Sequence, residues 1–148
     1  MEEIKYNSED LLDHDVVAAI IKNEKGEILM QEHLKYNFWT VPVGKVKPGQ
    51  TIKDGLEQEM MEECKIVVED FKEIISKNYV YERKGKDVKI IGHIIEVLKY
   101  KGQIRNNEPE KHRQQIFISL EDVKKIPFIS DLTVLYLEIL GFKRKAII

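Results

Sequence analysis

The stretch GKVKPGQTIKDGLEQEMMEECKI, from Gly44 to Ile66, decides the fold and carries the chemistry predicted for this chain. Pro48-Gly49 indicates a turn, and Thr51 is a suitable N-cap for a helix that runs to about Cys64. Apolar residues recur at every fourth position of this helix and form one stripe: Ile52, Leu56, Met60 and Cys64. The helix is therefore expected to pack on a core along that stripe.

Three carboxylates crowd one side of the predicted helix. At about 100° per residue, Glu59, Glu62 and Glu63 fall within an arc of roughly 100°. Glu63 adjoins the apolar stripe, which predicts its partial burial. Three carboxylates this close stay ionised at low cost only when a cation joins them. Oxygen ligands select hard cations, so the cluster predicts a site for Mg²⁺ first and for Mn²⁺ next.

The residues just before the helix favour an anion. An aromatic and β-branched strand at 38–44 is expected to end at Pro42 and Gly44, and a loop then carries Lys45 and Lys47. Ammonium groups and a helix N-terminus both attract phosphate oxygens. An anion-binding loop beside a carboxylate cluster predicts a metal–phosphate site. For the helix alone, a solvated acidic face is the alternative.

Two hairpins are predicted on either side of the acidic helix. VVAAII at 16–21 and EILMQEH at 27–33 flank turn residues at 23–26 and are expected to pair. Two long β-rich stretches meet at Lys84-Gly85-Lys86, which predicts a second hairpin.

The last third of the chain predicts a strand and two helical segments. A strand is expected at 114–120 and a helical turn at 120–125. Ser130 or Asp131 caps a closing helix, and Gly141 suits its end. The whole order is strands, helix, strands, helix. It favours an α+β fold, with a sheet flanked by helices, over repeated βαβ units.

Composition predicts a soluble globular protein with one domain, residues 1–148, in which residues 1–13 form an N-terminal arm and 142–148 a basic tail. The net charge of −2 gives no general attraction to nucleic acid or an anionic membrane. No apolar run is long enough to span a bilayer. The single cysteine, Cys64, excludes an internal disulfide, and the polar start lacks the pattern of a secretory signal. These features predict a cytoplasmic protein.

At the acidic helix the chain resembles the Nudix hydrolase family, whose signature is G-x5-E-x7-R-E-U-x-E-E-x-G-U, with U a bulky aliphatic residue. Counted from Gly44, the central E-U-x-E-E is complete at 59–63. Three positions depart from the signature: Gln50 stands for the first Glu, Gln58 for the Arg and Lys65 for the late Gly. The preceding FWTVPVGKVKPGQ is similar to the family's W-x-x-P-G-G-K-x-x-x-G-E. The resemblance extends over most of the chain.

The resemblance implies a Nudix-type mixed β-sheet flanked by helices, an α/β/α sandwich. It also implies an Mg²⁺-dependent hydrolase in which water attacks a nucleoside diphosphate linked to another group. One of the helix carboxylates could act as the base, and Lys45 would contact phosphate. The metal ligands that it implies are the Val43 carbonyl, Glu59, Glu62, Glu63 and Glu108.

The departures bear on the expected rate. The signature Arg usually orients the Glu that follows it, so Gln58 is counted with the catalytic residues but is expected to hold Glu59 less firmly. Gln50 removes a carboxylate that often lies near the metal. Lys65 replaces a Gly that suits a left-handed helix end, which mainly lowers stability. Lost support of a metal ligand commonly costs roughly 10–100-fold, so reduced activity is expected.

A second segment bears on the substrate. NNEPEKHRQQIFISLEDVKKIPF, at 106–128, resembles a region of the MutT-like nucleoside triphosphate pyrophosphatases, which implies cleavage to a monophosphate and pyrophosphate. One alternative is a catalytically weakened Nudix module that binds a nucleotide or metabolite. Another is an ADP-ribose or nucleotide-sugar pyrophosphatase. An enzyme acting on RNA caps or other nucleic acid is disfavoured by the near-neutral charge, and a homodimer is left open.

Aromatic residues could supply contacts to a base. Trp39 could stack on a nucleobase, although a tryptophan in a short strand is more often part of the core. Tyr79 and Tyr81 lie on one face of their predicted strand and could line a base pocket, or could be ordinary surface residues. Lys47 joins Lys45 as a predicted substrate contact. The four histidines show no zinc-ligand spacing.

Overall fold

The computed structural model describes residues 6–34 and 37–142. Within these ranges the strands are β1 His14–Ile20, β2 Ile28–His33, β3 Phe38–Thr40, β4 Val43–Val46, β5 Val67–Arg83, β6 Lys86–Lys101 and β7 His112–Ile118. The helices of the described residues are α1 Ile52–Cys64, α2 Leu120–Val123 and α3 Asp131–Ile139, and a 3₁₀ turn spans Glu9–Leu11. Of the predicted basic tail, only Phe142 lies within the described residues.

The strands form two sheets, ordered β4-β1-β6-β5 and β3-β2-β7. The β1–β6 pair is parallel and the other pairs are antiparallel, so the predicted mixed β-structure flanked by helices is confirmed. Within the described residues, no helix has both the length and the apolar character needed to cross a bilayer.

Strand β1 is apolar from Val16 to Ile20, and Val17 to Ile20 are buried on both faces of the strand. Val17 and Ala19 pack in one cluster with α1, whereas Ala18 and Ile20 pack in a second cluster with α3. Side chains alternate across a strand, so an unbroken apolar run is what a strand between two helical layers requires. This arrangement sets α1 and α3 on opposite faces of the structure.

Helix α1 forms as its sequence predicts. The Thr51 hydroxyl accepts from the Asp54 backbone N–H at 3.1 Å, and the Asp54 carboxylate accepts from the Thr51 N–H at 3.2 Å. This reciprocal cap satisfies two of the N–H groups that a helix start leaves without partners. Leu56, Met60 and Cys64 are fully buried, so the predicted apolar stripe faces the core.

Helix α1 ends at a left-handed residue. Lys65 has φ 64° and ψ 31°, a conformation that crowds the Cβ of an L-residue. Lys65→Gly is therefore expected to raise the free energy of unfolding by about 1 kcal/mol. Urea unfolding of both proteins measures this difference. An unchanged or lower stability would show that the lysine side chain compensates for the backbone conformation.

The predicted hairpin of the first two strands is wrong. β1 and β2 belong to different sheets. Next to the turn, the described chain is joined by a bridge between Lys22 and Ile28 and by the backbone hydrogen bonds from Asn23 to Glu27 and from Leu29 to Ile21. Asn23 holds that turn, since its side-chain carbonyl accepts from the N–H groups of Lys25 and Glu27. Beyond the bridge the strands diverge, because each has two buried faces and pairs elsewhere.

The single strand predicted at 38–44 is also wrong. The chain forms β3 in one sheet and β4 in the other, and Pro42 lies between them. Lys45 therefore lies inside β4, opposite Val16 of β1, and not in a loop. Because β3 and β4 belong to different sheets, this crossover brings the residues before α1 between the two sheets.

The second predicted hairpin is confirmed. β5 and β6 pair over their whole length and turn at Lys84 and Gly85. Both turn residues have positive φ, 51° and 74°, as two-residue hairpin turns of the favoured kind require. The closing helix is also confirmed, and the Ser130 hydroxyl caps it by accepting from the Thr133 N–H.

A histidine links three neighbouring strands. His93 on β6 contacts Asp15 on β1 at 2.8 Å and Glu73 on β5. Burial alone would lower its pKa, but the hydrogen bonds to the two carboxylates outweigh burial and raise the pKa above 6.5. The protonated ring thus stabilises the fold fully below pH 6.5, and this contribution is lost as the pH rises through the folded-state pKa.

We therefore expect the melting temperature of the wild type to fall more steeply between about pH 6 and pH 8 than that of His93→Gln. Melting curves across this range measure the two slopes. The contribution is small, since Glu73 is partly exposed and solvent screens the pair. Parallel slopes would remove His93 as a source of pH dependence.

Candidate active site

A cleft of about 800 Å³ opens between the two sheets. One wall comes from the sheet with β2 and carries polar side chains, including Gln31 and His112. The other wall comes from the sheet with β1 and is apolar at Val16 and Ile90. The predicted site residues in its lining are Val43, Lys45, Glu59, Glu63 and Tyr81.

Two of the predicted α1 carboxylates, Glu59 and Glu63, line this cleft, whereas Glu62 is not among the lining residues. Glu63 is only 6% exposed, as its place beside the apolar stripe predicts, and its Oε2 has no hydrogen-bond partner within the described residues. Burial raises the pKa of Glu63 well above its ordinary value, and the nearby Glu59 and Glu108 raise it further. Glu59 behaves similarly: burial, then Glu62, then Glu108 raise its pKa to about 7.

Glu108 joins the cluster through the loop at 102–109. Asn107 docks this loop on the end of α1, since its backbone N–H donates to the Glu63 carbonyl at 3.1 Å. Its side chain donates to the Glu62 carbonyl at 2.9 Å. These carbonyls are among those that a helix end leaves without partners. Sequence reasoning missed this role of Asn107, because nothing local shows which helix the residue caps.

Gly44 leaves room for Glu59. A Cβ added at Gly44 would lie 1.8 Å from the Glu59 Cγ, far closer than two carbon atoms can approach. The glycine thus lets β4 pass directly over the carboxylate, while the neighbouring Val43 lines the cleft. The first position of the predicted signature therefore has a steric reason in this fold.

Gln58 supports a different carboxylate from the one expected. Its side-chain N–H donates to Glu62 Oε1 at 2.8 Å, one helical turn on, and no described hydrogen bond joins it to Glu59. Gln50 in turn donates to Gln58 and accepts from the Lys47 backbone N–H at 2.9 Å. The two departures from the signature therefore contact each other and connect the loop backbone to Glu62.

The two predicted lysines have different surroundings. Lys45 Nζ lies 2.6 Å from the Asp10 carboxylate and 3.6 Å from that of Glu9. The N-terminal arm thus supplies anions to a cation that lines the cleft. Lys47 is absent from the residues that line the cleft, although its charge lowers the pKa of Glu59.

Aromatic side chains from both sheets line the cleft. The Tyr79 and Tyr81 rings stack with centroids 5.9 Å apart, and the Tyr81 hydroxyl donates to Asp131 at the start of α3. Phe38 also lines the cleft, whereas Trp39, the next residue on β3, packs against the core cluster that contains α3. Because side chains alternate across a strand, Phe38 faces the cleft while Trp39 faces the core.

The donor set fits a hard divalent cation. The carboxylates of the cluster offer oxygen ligands, and one buried carboxylate oxygen is unpartnered. The raised pKa values of Glu59 and Glu63 show that charge is costly there without a counter-ion. The side chains are not preassembled, since within residues 6–34 and 37–142 no three His, Cys, Asp or Glu form a ready metal group. Small side-chain rotations would therefore accompany binding.

A comparison of the sequence with models of protein families gives a match that covers most of the chain. The family model described as the NUDIX domain matches residues 12–136. The chain belongs to the Nudix family. Nudix hydrolases generally use divalent metal cations, and membership supports hydrolase activity on nucleotide-type substrates.

Solved structures show the same Nudix fold. A MutT NUDIX hydrolase from Burkholderia pseudomallei is 21% identical, with a TM-score of 0.73, over 85% of this chain and 96% of that one. The E. coli ORF135 protein is 22% identical, with a TM-score of 0.68, over 92% and 94%. A C. elegans Ap4A hydrolase is 21% identical, with a TM-score of 0.61, over 87% and 99%. At these identities the likeness concerns the fold.

Among curated proteins, the mouse 8-oxo-dGDP phosphatase NUDT18 is 35% identical over 57 residues. The match covers 36% of this Nudix chain but only 18% of the mouse protein. It therefore adds a relative without extending that protein's activity to this one.

Proposed function

We propose that this Nudix protein is an Mg²⁺-dependent hydrolase of nucleoside diphosphate-linked substrates, with nucleoside triphosphates as the preferred class and a monophosphate and pyrophosphate as products. The observation that carries the proposal is the buried Glu63 carboxylate near Glu59, whose Oε2 has no hydrogen-bond partner among the described residues. A buried carboxylate in this state is costly, and a bound cation relieves the cost.

The metal would be held by Glu59, Glu62 and Glu63, with the Val43 carbonyl and Glu108 as further ligands. Mg²⁺ bound there would neutralise phosphate charge and lower the pKa of a bound water. Gln58 holds Glu62 in place, and Gly44 gives Glu59 its room. One of these three glutamates would also act as the base that takes the proton from the attacking water, as the family resemblance implies.

Lys45 would bind a substrate phosphate. Its ammonium group now contacts Asp10 at 2.6 Å, so a phosphate oxygen must share or replace that carboxylate. Lys47 would add longer-range attraction from outside the cleft. The tyrosine pair and Phe38 would contact the base, with Tyr81 fixed by Asp131. Trp39 would support this wall from the core side.

The triphosphate class is supported by the segment at 106–128, which resembles the MutT-like triphosphate pyrophosphatases, and by the solved structures of proteins named MutT. The mouse relative is named for 8-oxo-dGDP, a nucleoside diphosphate, so it supports nucleotide substrates in general and not triphosphates in particular. Pure protein with Mg²⁺ should be given a panel of normal and oxidised nucleoside triphosphates, ADP-ribose and nucleotide sugars. Phosphorus NMR should show pyrophosphate from a triphosphate. Inactivity on the whole panel by the folded protein would sink the proposal.

A second candidate is a nucleotide- or metabolite-binding module with weakened catalysis. It is favoured by the neutral Gln50–Gln58 contact, which stands where the family signature has a Glu and an Arg. It predicts saturable nucleotide binding with little or no turnover. Substitutions that remove or strengthen the hydrogen bond from Gln58 to Glu62 distinguish the hydrolase from the binding module.

If the protein is an enzyme, Gln58→Leu should lower kcat by roughly 10–100-fold, because Glu62 loses its donor. The paired change Gln50→Glu with Gln58→Arg should keep the contact and support Glu62 with a charge. Steady-state kinetics of the single and paired variants measure this. If the wild type turns over nothing and the paired variant gains activity, the binding-module candidate is preferred.

A further inference from the structure

Gln31 is a polar residue at a buried position of β2, directly after apolar core residues. It follows Ile28, Leu29 and Met30 on β2, all of which are buried, and it is itself 0% exposed. Both its amide nitrogen and its amide oxygen lack a hydrogen-bond partner within the described residues. Buried amides are normally paired, so Gln31 is an exception that needs a physical reason.

The polar side chains opposite Gln31 make their hydrogen bonds to other groups. Thr40 lies opposite on β3, and its hydroxyl donates to the Val41 carbonyl and contacts the Ser130 hydroxyl. Gln115 lies opposite on β7, and its amide donates to the Glu63 carbonyl at 3.2 Å. Neither side chain satisfies the Gln31 amide. Gln31 is instead in the lining of the cleft.

The surroundings of Gln31 combine a polar edge with apolar walls. His112, on β7, is 3% exposed, and its Nδ1 has no partner within the described residues. Val16 and Ile90, from the other sheet, supply apolar surface to the same cleft. A group that fits between them is flat, has apolar faces and carries hydrogen-bonding groups on its rim.

We propose that Gln31 is a specificity-determining residue that binds the hydrogen-bonding edge of a heterocyclic base. The proposal rests on the proposed function, in that the base belongs to the nucleotide substrate. One amide offers a donor and an acceptor side by side, which matches a base edge with an adjacent acceptor and donor. Each common nucleobase has such an edge, whereas unsubstituted purine has acceptors only.

The amide rotates by 180° without changing its shape, so Gln31 selects for the paired donor and acceptor and not for one base. A base without the donor would leave the buried Gln31 oxygen unsatisfied. Sites of this kind reject the incomplete partner strongly.

The test uses two substitutions and no metal. Gln31→Leu removes the amide at similar volume, and Gln114→Leu makes the same change on β7 at an exposed residue outside the cleft lining. Calorimetry in EDTA measures binding of the 5′-monophosphates of the four common nucleosides and of purine riboside. Melting curves of the ligand-free proteins are recorded alongside.

The wild type and Gln114→Leu should bind at least one common monophosphate about 10-fold more tightly than purine riboside monophosphate. Gln31→Leu should lose this preference and should melt at a higher temperature, because an unpaired buried amide is gone. A lower melting temperature would show that Gln31 has a structural partner and would overturn the proposal. An unchanged preference, or no preference in the wild type, would also overturn it. Because binding is measured without metal, failure of hydrolysis is a separate result.

Discussion

Glu63→Gln is expected to lower kcat by roughly 10³-fold, equivalent to about 4 kcal/mol of transition-state stabilisation, and to raise the stability of the metal-free protein. Activity falls because a neutral amide is a poor ligand for a hard cation. Stability rises because the wild-type carboxylate is 6% exposed and, within residues 6–34 and 37–142, one of its oxygens has no hydrogen-bond partner. Steady-state kinetics with Mg²⁺ and melting curves in EDTA measure the two effects.

Glu57→Gln is the matched control. Glu57 lies on the same helix, and its carboxylate pairs with Lys53 at 3.7 Å, where both side chains are substantially exposed. We expect near-wild-type kcat and melting temperature, since exposed pairs of this kind contribute little. If Glu63→Gln retained full activity, Glu63 could not be a metal ligand. If it melted at a lower temperature, the carboxylate would have a stabilising partner instead.

Gly44→Ala is expected to reduce kcat by roughly 100-fold, or about 3 kcal/mol, with a smaller loss of stability. The added methyl would lie 1.8 Å from the Glu59 Cγ, so Glu59 must leave its present position. A displaced ligand changes the geometry of the reacting groups, which small shifts already penalise strongly. Kinetics and divalent-cation affinity, measured on the folded variant, show whether the loss lies in the site.

Gly55→Ala is the control for this substitution. Its Cβ would lie 3.0 Å from the Val46 Cγ2 and 3.4 Å from the Val46 Cα, far less severe than the 1.8 Å contact at Gly44, and alanine favours the helix interior. The change affects the packing of α1 on β4 without touching a carboxylate, so kcat should stay within a few-fold of wild type. Wild-type turnover in Gly44→Ala would mean that Glu59 works equally well in another position.

Helix α1 could be predicted from the sequence because it depends on local chemistry. The Thr51 cap and the apolar stripe follow from spacing within a few residues, whereas the left-handed end at Lys65 was indicated only by the resemblance to a signature that has Gly there. The burial of Glu63 follows from the same helical period. The second hairpin was also local, since its two-residue turn fixes the pairing of β5 with β6.

The strand partners could not be predicted in the same way. The runs at 16–21 and 27–33 suit a hairpin, yet β1 pairs with β4 and β6 while β2 pairs with β3 and β7. An apolar strand buried on both faces has no pattern that identifies its neighbours. The division of the predicted strand into β3 and β4 at Pro42, which places Lys45 in β4, could not be predicted for the same reason.

Several site contacts depend on residues far apart in the sequence. Asp10 reaches Lys45, and Asn107 reaches the carbonyls of Glu62 and Glu63. The sequence did not indicate a role for Gln31, because that role depends on neighbouring side chains that hydrogen-bond to other groups. The contact of Gln58 with Glu62, and not with Glu59, could have been predicted from helical geometry, since residues four apart are neighbours on a helix. The family signature had directed attention to the adjacent residue.

Calorimetric titration of the metal-free protein with Mn²⁺, and then with Mg²⁺, tests the central claim most directly. It should be done at about pH 8, where the Glu59 carboxylate, with its pKa of about 7, is mainly ionised. We predict saturable binding to the wild type and to Glu57→Gln, strengthened by a nucleoside triphosphate and severely weakened in Glu63→Gln. No heat of binding from either metal, with or without the nucleotide, would contradict the account.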